Sequence, residues 1–179
     1  SIGERLGAPA ATSLANGIYL DNYSQGITVK NNTVAFVNGE GYFIGSVQTG
    51  IELSNNTSFQ SGLNELQIYH PLTAPGFLIR DNILVTNSLS ADHDVFRTVS
   101  TDEYTYEQLG LFKDNFIINP FNDKTISFNY KAEDVPRTQR YSPYEWEAGV
   151  KQVNGTVPAV KKYPAGTLPA DVVKFYYNN

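Results

Sequence analysis

The sequence predicts an all-β fold, a parallel β-helix of about four rungs with a C-terminal helix/strand cap. Three observations predict it. One short motif recurs four times, apolar residues alternate inside it in bursts of four or five, and each burst ends on Asn or Asp followed by Asn.

The four copies are "QGITVKNNTV", "TGIELSNNTS", "PGFLIRDNIL" and "LGLFKDNFII". Their glycines are Gly26, Gly50, Gly76 and Gly110, and their closing asparagines Asn32, Asn56, Asn82 and Asn115, so glycine and asparagine lie 6, 6, 6 and 5 residues apart. Successive asparagines are separated by 24, 26 and 33 residues. Ile27 and Val29, Ile51 and Leu53, Phe77 and Ile79, and Phe112 share one parity and turn to one side of a strand. Thr28 and Lys30, Glu52 and Ser54, Leu78 and Arg80, and Lys113 turn to the other. Glycine at the start of the strand permits a positive φ at a sharp corner. Asparagine at its end tolerates the left-handed conformation, and its amide satisfies backbone groups at the bend. Stacked one rung apart, such asparagines form a ladder of side-chain hydrogen bonds.

A unit of about 24 residues is too small to bury its own apolar face, but units stacked about 4.8 Å apart share one core. Each rung also carries an earlier strand: "GIYLD" at 17–21, "GYFIG" at 41–45, "ELQIYH" at 65–70 and "DVFRTV" at 94–99. The surplus of about eight residues between Asn82 and Asn115 is expected as a longer turn projecting from the stack. The domain plan is therefore a lead-in at 1–16, rungs over 17–130 and a cap over 131–179. In that cap "RYSPYEWEAGV" predicts a short helix near 143–150, with Ser142 as N-cap, Pro143 in first position and Glu145 completing a capping box. The tail "GTLPADVVKFYYNN" alternates like a closing strand.

Residues 1–16 contain no amphipathic helix to cover the first rung, which predicts a bare strand edge there. Further N-terminal rungs, in the same precursor or in an associated chain, are the expected cover; residues 1–16 folding back as a plug are the alternative. The chain opens "SIGERLGAP" and contains no Met, so it reads as a processed or excised piece with any targeting segment upstream.

Composition excludes several classes. Aromatic residues reach 13 % and charged residues only 17 %, which suits a β-rich surface rather than a helical bundle. A net charge of −5 with no basic block excludes a nucleic-acid partner, and no apolar run is long enough to span a membrane. There is no Cys, hence no disulfide and no thiolate metal site. P-loop, dinucleotide and serine-triad signatures are absent, and no cofactor is expected.

"GIYLD…GITVKNNTV" and its echoes, over roughly residues 17–120, resemble the right-handed parallel β-helix repeat proteins of the pectate-lyase-like superfamily. The "YEW" helix and closing "FYYN" are similar to the tails of secreted bacterial β-helix proteins of glycan metabolism. The resemblance implies the C-terminal portion of a secreted, cell-surface or periplasmic carbohydrate-active enzyme, a glycoside hydrolase or polysaccharide lyase. Its partner would be a polysaccharide or oligosaccharide. A non-catalytic glycan-binding or cell-surface β-helix protein is the alternative.

The same resemblance implies a substrate groove along one strand face, walled by turns. On the earlier strands Ile18 and Leu20 point inward and Tyr19 and Asp21 outward, with Phe43 and Gly45 in those places one rung on. In the third rung either Tyr69 or His70 stands at the level of Asp21. Asp21, His70, Asp92 and Asp94 are the candidate catalytic residues; Tyr19, Tyr69, His93 and Arg97 are the candidates for substrate binding. A carboxylate and an imidazole two rungs apart are separated by roughly 10 Å, room for a sugar ring. Two carboxylates at roughly 6.5–9.5 Å suit inverting hydrolysis, whereas Arg or Lys acting as base beside an acidic sugar suits a lyase. Plainer readings compete: Asp21-Asn22 starts an ordinary turn, His70 before Pro71 caps or packs, and Asp92-His93-Asp94 is a solvated loop whose adjacent side chains do not converge on a metal. Lys30, Arg80 and Lys113 make an outward basic stripe that Asp81 and Asp114 partly neutralise.

Overall fold

Short strands recur at constant register because each corner motif turns the chain back over its previous pass. The computed structural model describes residues 15–45, 49–69, 76–90, 93–99, 110–132 and 135–150. The first pass holds β1 (Ile18–Leu20), β2 (Thr28–Lys30) and β3 (Thr33–Ala35). The next passes hold β4 (Tyr42–Ile44), β5 (Glu52–Ser54) and β6 (Thr57–Phe59), then β7 (Leu66–Tyr69), β8 (Phe77–Arg80) and β9 (Ile83–Val85). They are followed by β10 (Phe96–Val99), β11 (Gly110–Lys113) and β12 (Phe116–Ile118), then β13 (Ile126–Ala132) and β14 (Val135–Tyr141), and finally helix α1 (Pro143–Val150).

Among the described residues three sheets result: β1-β4-β7-β10-β13-β14, β2-β5-β8-β11 and β3-β6-β9-β12. Every neighbouring pair is parallel except the terminal β13–β14 hairpin, so the chain is a parallel β-solenoid.

Inward residues stack in columns, two in the first sheet, where Leu20, Ile44, Ile68, Thr98 and Phe128 accompany the first of those that follow. Ile18, Tyr42, Leu66, Phe96 and Ile126 form the first, and Val29, Leu53, Ile79 and Phe112 the second. Val34, Ser58, Leu84 and Ile117 form the third. Apolar burial in these columns is the main stabilising term, at about 25 cal/mol per Å2 removed from water. Ile68, Ile79 and Ile126 are completely covered. Tyr42, otherwise buried, satisfies its hydroxyl by donating to the backbone oxygens of Asn32 and Thr57, both at 3.2 Å.

The asparagine ladder forms as expected. Asn32, Asn56 and Asn82 each donate a backbone N–H and a side-chain Nδ2 to the Oδ1 of the next asparagine, at 2.9–3.1 Å. The left-handed backbone, however, falls on the preceding residue: Asn31, Asn55, Asp81 and Asp114 have φ of 60, 52, 57 and 52°. The two roles of the corner are thus split, the first residue bending the chain and the second tying the rungs. Gly110 carries a distinct demand. Its φ is 133°, and a Cβ there would lie 2.1 Å from Phe77 O.

Beyond Asn82 the surplus residues are divided between two turns. Val34 to Tyr42 and Ser58 to Leu66 span eight residues each, but Leu84 to Phe96 spans twelve. Leu20 to Thr28 spans eight, whereas Thr98 to Leu111 spans thirteen. The expected single projecting turn is therefore replaced by insertions on both sides of β10.

The cap also differs from expectation. β13 extends the first sheet as another parallel strand, and β14 folds back on it antiparallel, a strand that Pro136 and the polar run around it disguise. The helix is as predicted, with Glu145 N–H donating to Ser142 Oγ at 3.2 Å and Ser142 N–H to Glu145 Oε2 at 2.7 Å. Trp146, 1 % exposed, packs edge-on against Phe96, Phe112 and Tyr141 and closes this end of the core. The alternating tail 166–179 and most of the lead-in lie outside the described residues. Among the described residues no helix is long and apolar enough to cross a membrane.

Candidate functional site

The outward residues of the first sheet form two adjoining rows. Register places Tyr19, Phe43, Gln67, Arg97 and Ser127 in one. Continued by one residue beyond Leu20, Ile44 and Ile68, the same pairing puts Asp21, Gly45 and Tyr69 in the other, so the residue at the level of Asp21 is Tyr69. His70 lies outside the described residues, as does Asp92.

The rows bring three aromatic rings together. Tyr19 meets Phe43 edge-on with centroids 4.9 Å apart, and Phe43 stacks on Tyr69 at 6.1 Å with an interplanar angle of 29°. Tyr19 and Tyr69 are 51 % and 39 % exposed, so the strip offers ring surface to solvent. Tyr19 donates its hydroxyl to Asp21 Oδ1 at 3.0 Å, and Asn22 N–H donates to the same oxygen at 2.8 Å. Asp21 is therefore engaged in starting its turn as well as facing the strip. Partial burial, and then the Asp21 hydrogen bond and charge, raise the Tyr19 pKa, so the phenol stays protonated.

Beside this face the turns preceding β4, β7 and β10 enclose a recess of about 430 Å3, lined by Glu40, Asn64, His93 and Arg97 among others. A second recess of about 510 Å3 shares Gly62, Ser88 and His93 with it and adds Gln60, Ser61 and Thr86. Asn64 Nδ2 donates to Gln67 Oε1 at 3.1 Å, which joins the recess to the face.

The groups here have shifted proton affinities. Burial raises the Glu40 carboxyl above its ordinary range, against opposing hydrogen bonds from its own backbone and Asn64 and the charge of Arg97. Burial lowers the His93 imidazole, which favours its neutral form, while the Asp94 charge pulls the other way. The His93 ring Nε2 is 3.3 Å from Thr86 Oγ1. The Nε of Arg97 is buried with no acceptor among the described residues. A carboxyl whose pKa burial raises, an imidazole biased toward its neutral form and a guanidinium thus line one opening.

The structure brings Tyr19, Asp21 and Tyr69 to one face, and His93 and Arg97 to the adjacent recess. Asp94 does not open onto either. It is 2 % exposed and accepts from Arg140 Nε at 3.2 Å, which pins β14 to the turn before β10. Two members of the basic stripe of the second sheet are paired: Arg80 contacts Glu52 at 2.9 Å and Asp81 at 2.7 Å, and Lys113 contacts Asp114 at 3.5 Å.

Two carboxyls escaped the sequence reading. Glu40 holds the place two residues before β4 that Asn64 and Asp94 hold before β7 and β10, a polar repeat visible in "NGEGYF", "GLNELQ" and "ADHDVF" once the strands are aligned. Glu65 faces the interior. Its carboxyl accepts from Ser58 Oγ, from Ser61 Oγ at 2.7 Å and from Ser61 N–H at 2.9 Å. Burial pushes it up to about 7 despite those hydrogen bonds.

Among the described residues no group of three or more His, Asp or Glu side chains converges as a metal site. Comparison with family models, with curated proteins and with solved structures finds no match.

Proposed function

We propose that this solenoid is the glycan-contacting part of a carbohydrate-active protein working outside the cell, where it binds a polysaccharide along the first sheet and cleaves a glycosidic bond. The observation that carries the reading is the strip Tyr19–Phe43–Tyr69, three rings one rung apart, bordered by the recess of Glu40, His93 and Arg97. Flat aromatic faces suit the apolar faces of pyranose rings. Glu40, biased toward its protonated form, suits a general acid, and His93, biased toward neutral imidazole, suits a base. Arg97 lines the same recess, and a guanidinium there suits a sugar hydroxyl or carboxylate.

A non-catalytic glycan binder is the second reading. It draws support from Asp21, whose Oδ1 is already engaged by Tyr19 and Asn22.

Incubation of the intact protein with a panel of neutral and acidic polysaccharides tests both. New reducing ends identify hydrolysis, ultraviolet absorbance of an unsaturated uronate identifies elimination, and retention on a glycan without either identifies the binder. Neither turnover nor retention on any glycan would overturn the proposal.

A further inference from the structure

The asparagine ladder has a direction, and the direction leaves its first member incomplete. Asn56, Asn82 and Asn115 each accept, on Oδ1, the backbone N–H and Nδ2 of the asparagine one coil earlier. Asn32 Oδ1 accepts no hydrogen bond among the described residues, although the Asn32 donors are used on Asn56 Oδ1 and, at 3.1 Å, on Lys30 O. The same end carries three strand edges. β1, β2 and β3 each pair on one side only among the described residues. Burial thins there too: Val29 and Val34 keep 8 % and 7 % exposure where Leu53 and Leu84 keep 1 %, and Ile18, Leu20 and Ile27 are only partly covered. At the opposite end Trp146 covers the core and the β13–β14 hairpin ends the first sheet, while β11 and β12, like β2 and β3, pair on one side only among the described residues.

We propose that this end is a docking surface for one further parallel β-coil, three short strands with an asparagine at the ladder corner. Such a coil pairs all three edges at once, buries the five thinly covered apolar residues, and supplies the two N–H donors that Asn32 Oδ1 lacks. A second copy of the chain fits less well. Two open ends face to face oppose acceptor to acceptor at Asn32, and a head-to-tail approach meets the end that Trp146 and the hairpin occupy.

The test is an extended chain in which residues 17–40, one 24-residue period, are duplicated directly before Gly17. The docked coil is expected to raise the thermal midpoint by about 5 °C and to slow amide hydrogen exchange at Val29 and Val34 about tenfold or more. Replacing the added ladder asparagine by Ala is expected to remove most of both gains. An unchanged midpoint with unchanged exchange, or gains that the Ala replacement leaves intact, would overturn the proposal. So would sedimentation of the unextended chain as a dimer with β1–β3 amides protected, or loss of their protection on deleting residues 1–14, since each would show a different occupant.

Discussion

Asn56 sits one coil before Asn82 and donates to its Oδ1 twice, through the backbone N–H at 3.0 Å and through Nδ2 at 3.1 Å. Asn82 is itself fully buried and spends its Nδ2 on Leu53 O at 2.8 Å and Asn115 Oδ1 at 2.9 Å. One side chain therefore satisfies two backbone groups of the preceding coil, Asn56 N–H and Leu53 O, in a place that water does not reach.

Asn82→Ala strands the Asn56 donors and the Leu53 carbonyl inside the core. Unsatisfied buried groups cost about 1–3 kcal/mol each, so a loss of roughly 3 kcal/mol is expected by urea denaturation. Asn32→Ala, at the head of the ladder and partly exposed, is expected to cost about 1 kcal/mol or less. Equal losses at the two positions would contradict the ladder as a cooperative tie.

Glu65 makes stability depend on pH with a definite sign. Its folded-state pKa of about 7 lies above the ordinary 4.5, so the folded chain holds this proton where the unfolded chain releases it. Its contribution is whole below pH 4.5, declines as pH rises toward 7, and is lost above that, a change of about 3 kcal/mol. Glu65→Gln removes the titration, and urea denaturation at pH 5 and pH 8 is expected to show the wild-type decline flattened by that amount. Parallel declines in both proteins would contradict the assignment.

Asp94 is expected to matter for stability rather than turnover. Asp94→Asn weakens its contact with Arg140 and loosens β14, at roughly 2 kcal/mol for a pair with one buried partner. Glycan retention at a temperature where the variant remains folded is expected to match the wild type; selective loss of retention would instead place Asp94 in the site.

The parts legible from sequence were those that repeat. Gly26, Gly50, Gly76 and Gly110 all have positive φ, and the parity of Ile51 against Glu52 predicted which one enters the core. The ladder was legible because its residue type is invariant from coil to coil within this one chain. What broke the repeat was hidden. The two insertions flanking β10 merged into one surplus because only the asparagines mark the period. β14 carries Pro136 and no apolar alternation, since it closes an edge instead of filling a core. Glu40 was hidden because its equivalents are Asn64 and Asp94, a column conserved in polarity and not in charge. Glu65 was hidden for a different reason: it reads as the polar first residue of the strand "ELQIYH", and only Ser58 and Ser61 folding over it make it an interior acid.

The most direct measurement compares retention on the best-bound polysaccharide, by affinity electrophoresis, for the wild type, for Tyr19→Ala/Tyr69→Ala and for Tyr144→Ala. Tyr144 is 59 % exposed but stands on α1, away from the strip, so it controls for the loss of a surface ring. Losing two stacking rings at about 1 kcal/mol each is expected to weaken binding by at least tenfold, with Tyr144→Ala unchanged. Equal retention by all three proteins would contradict the first sheet as the glycan-binding face.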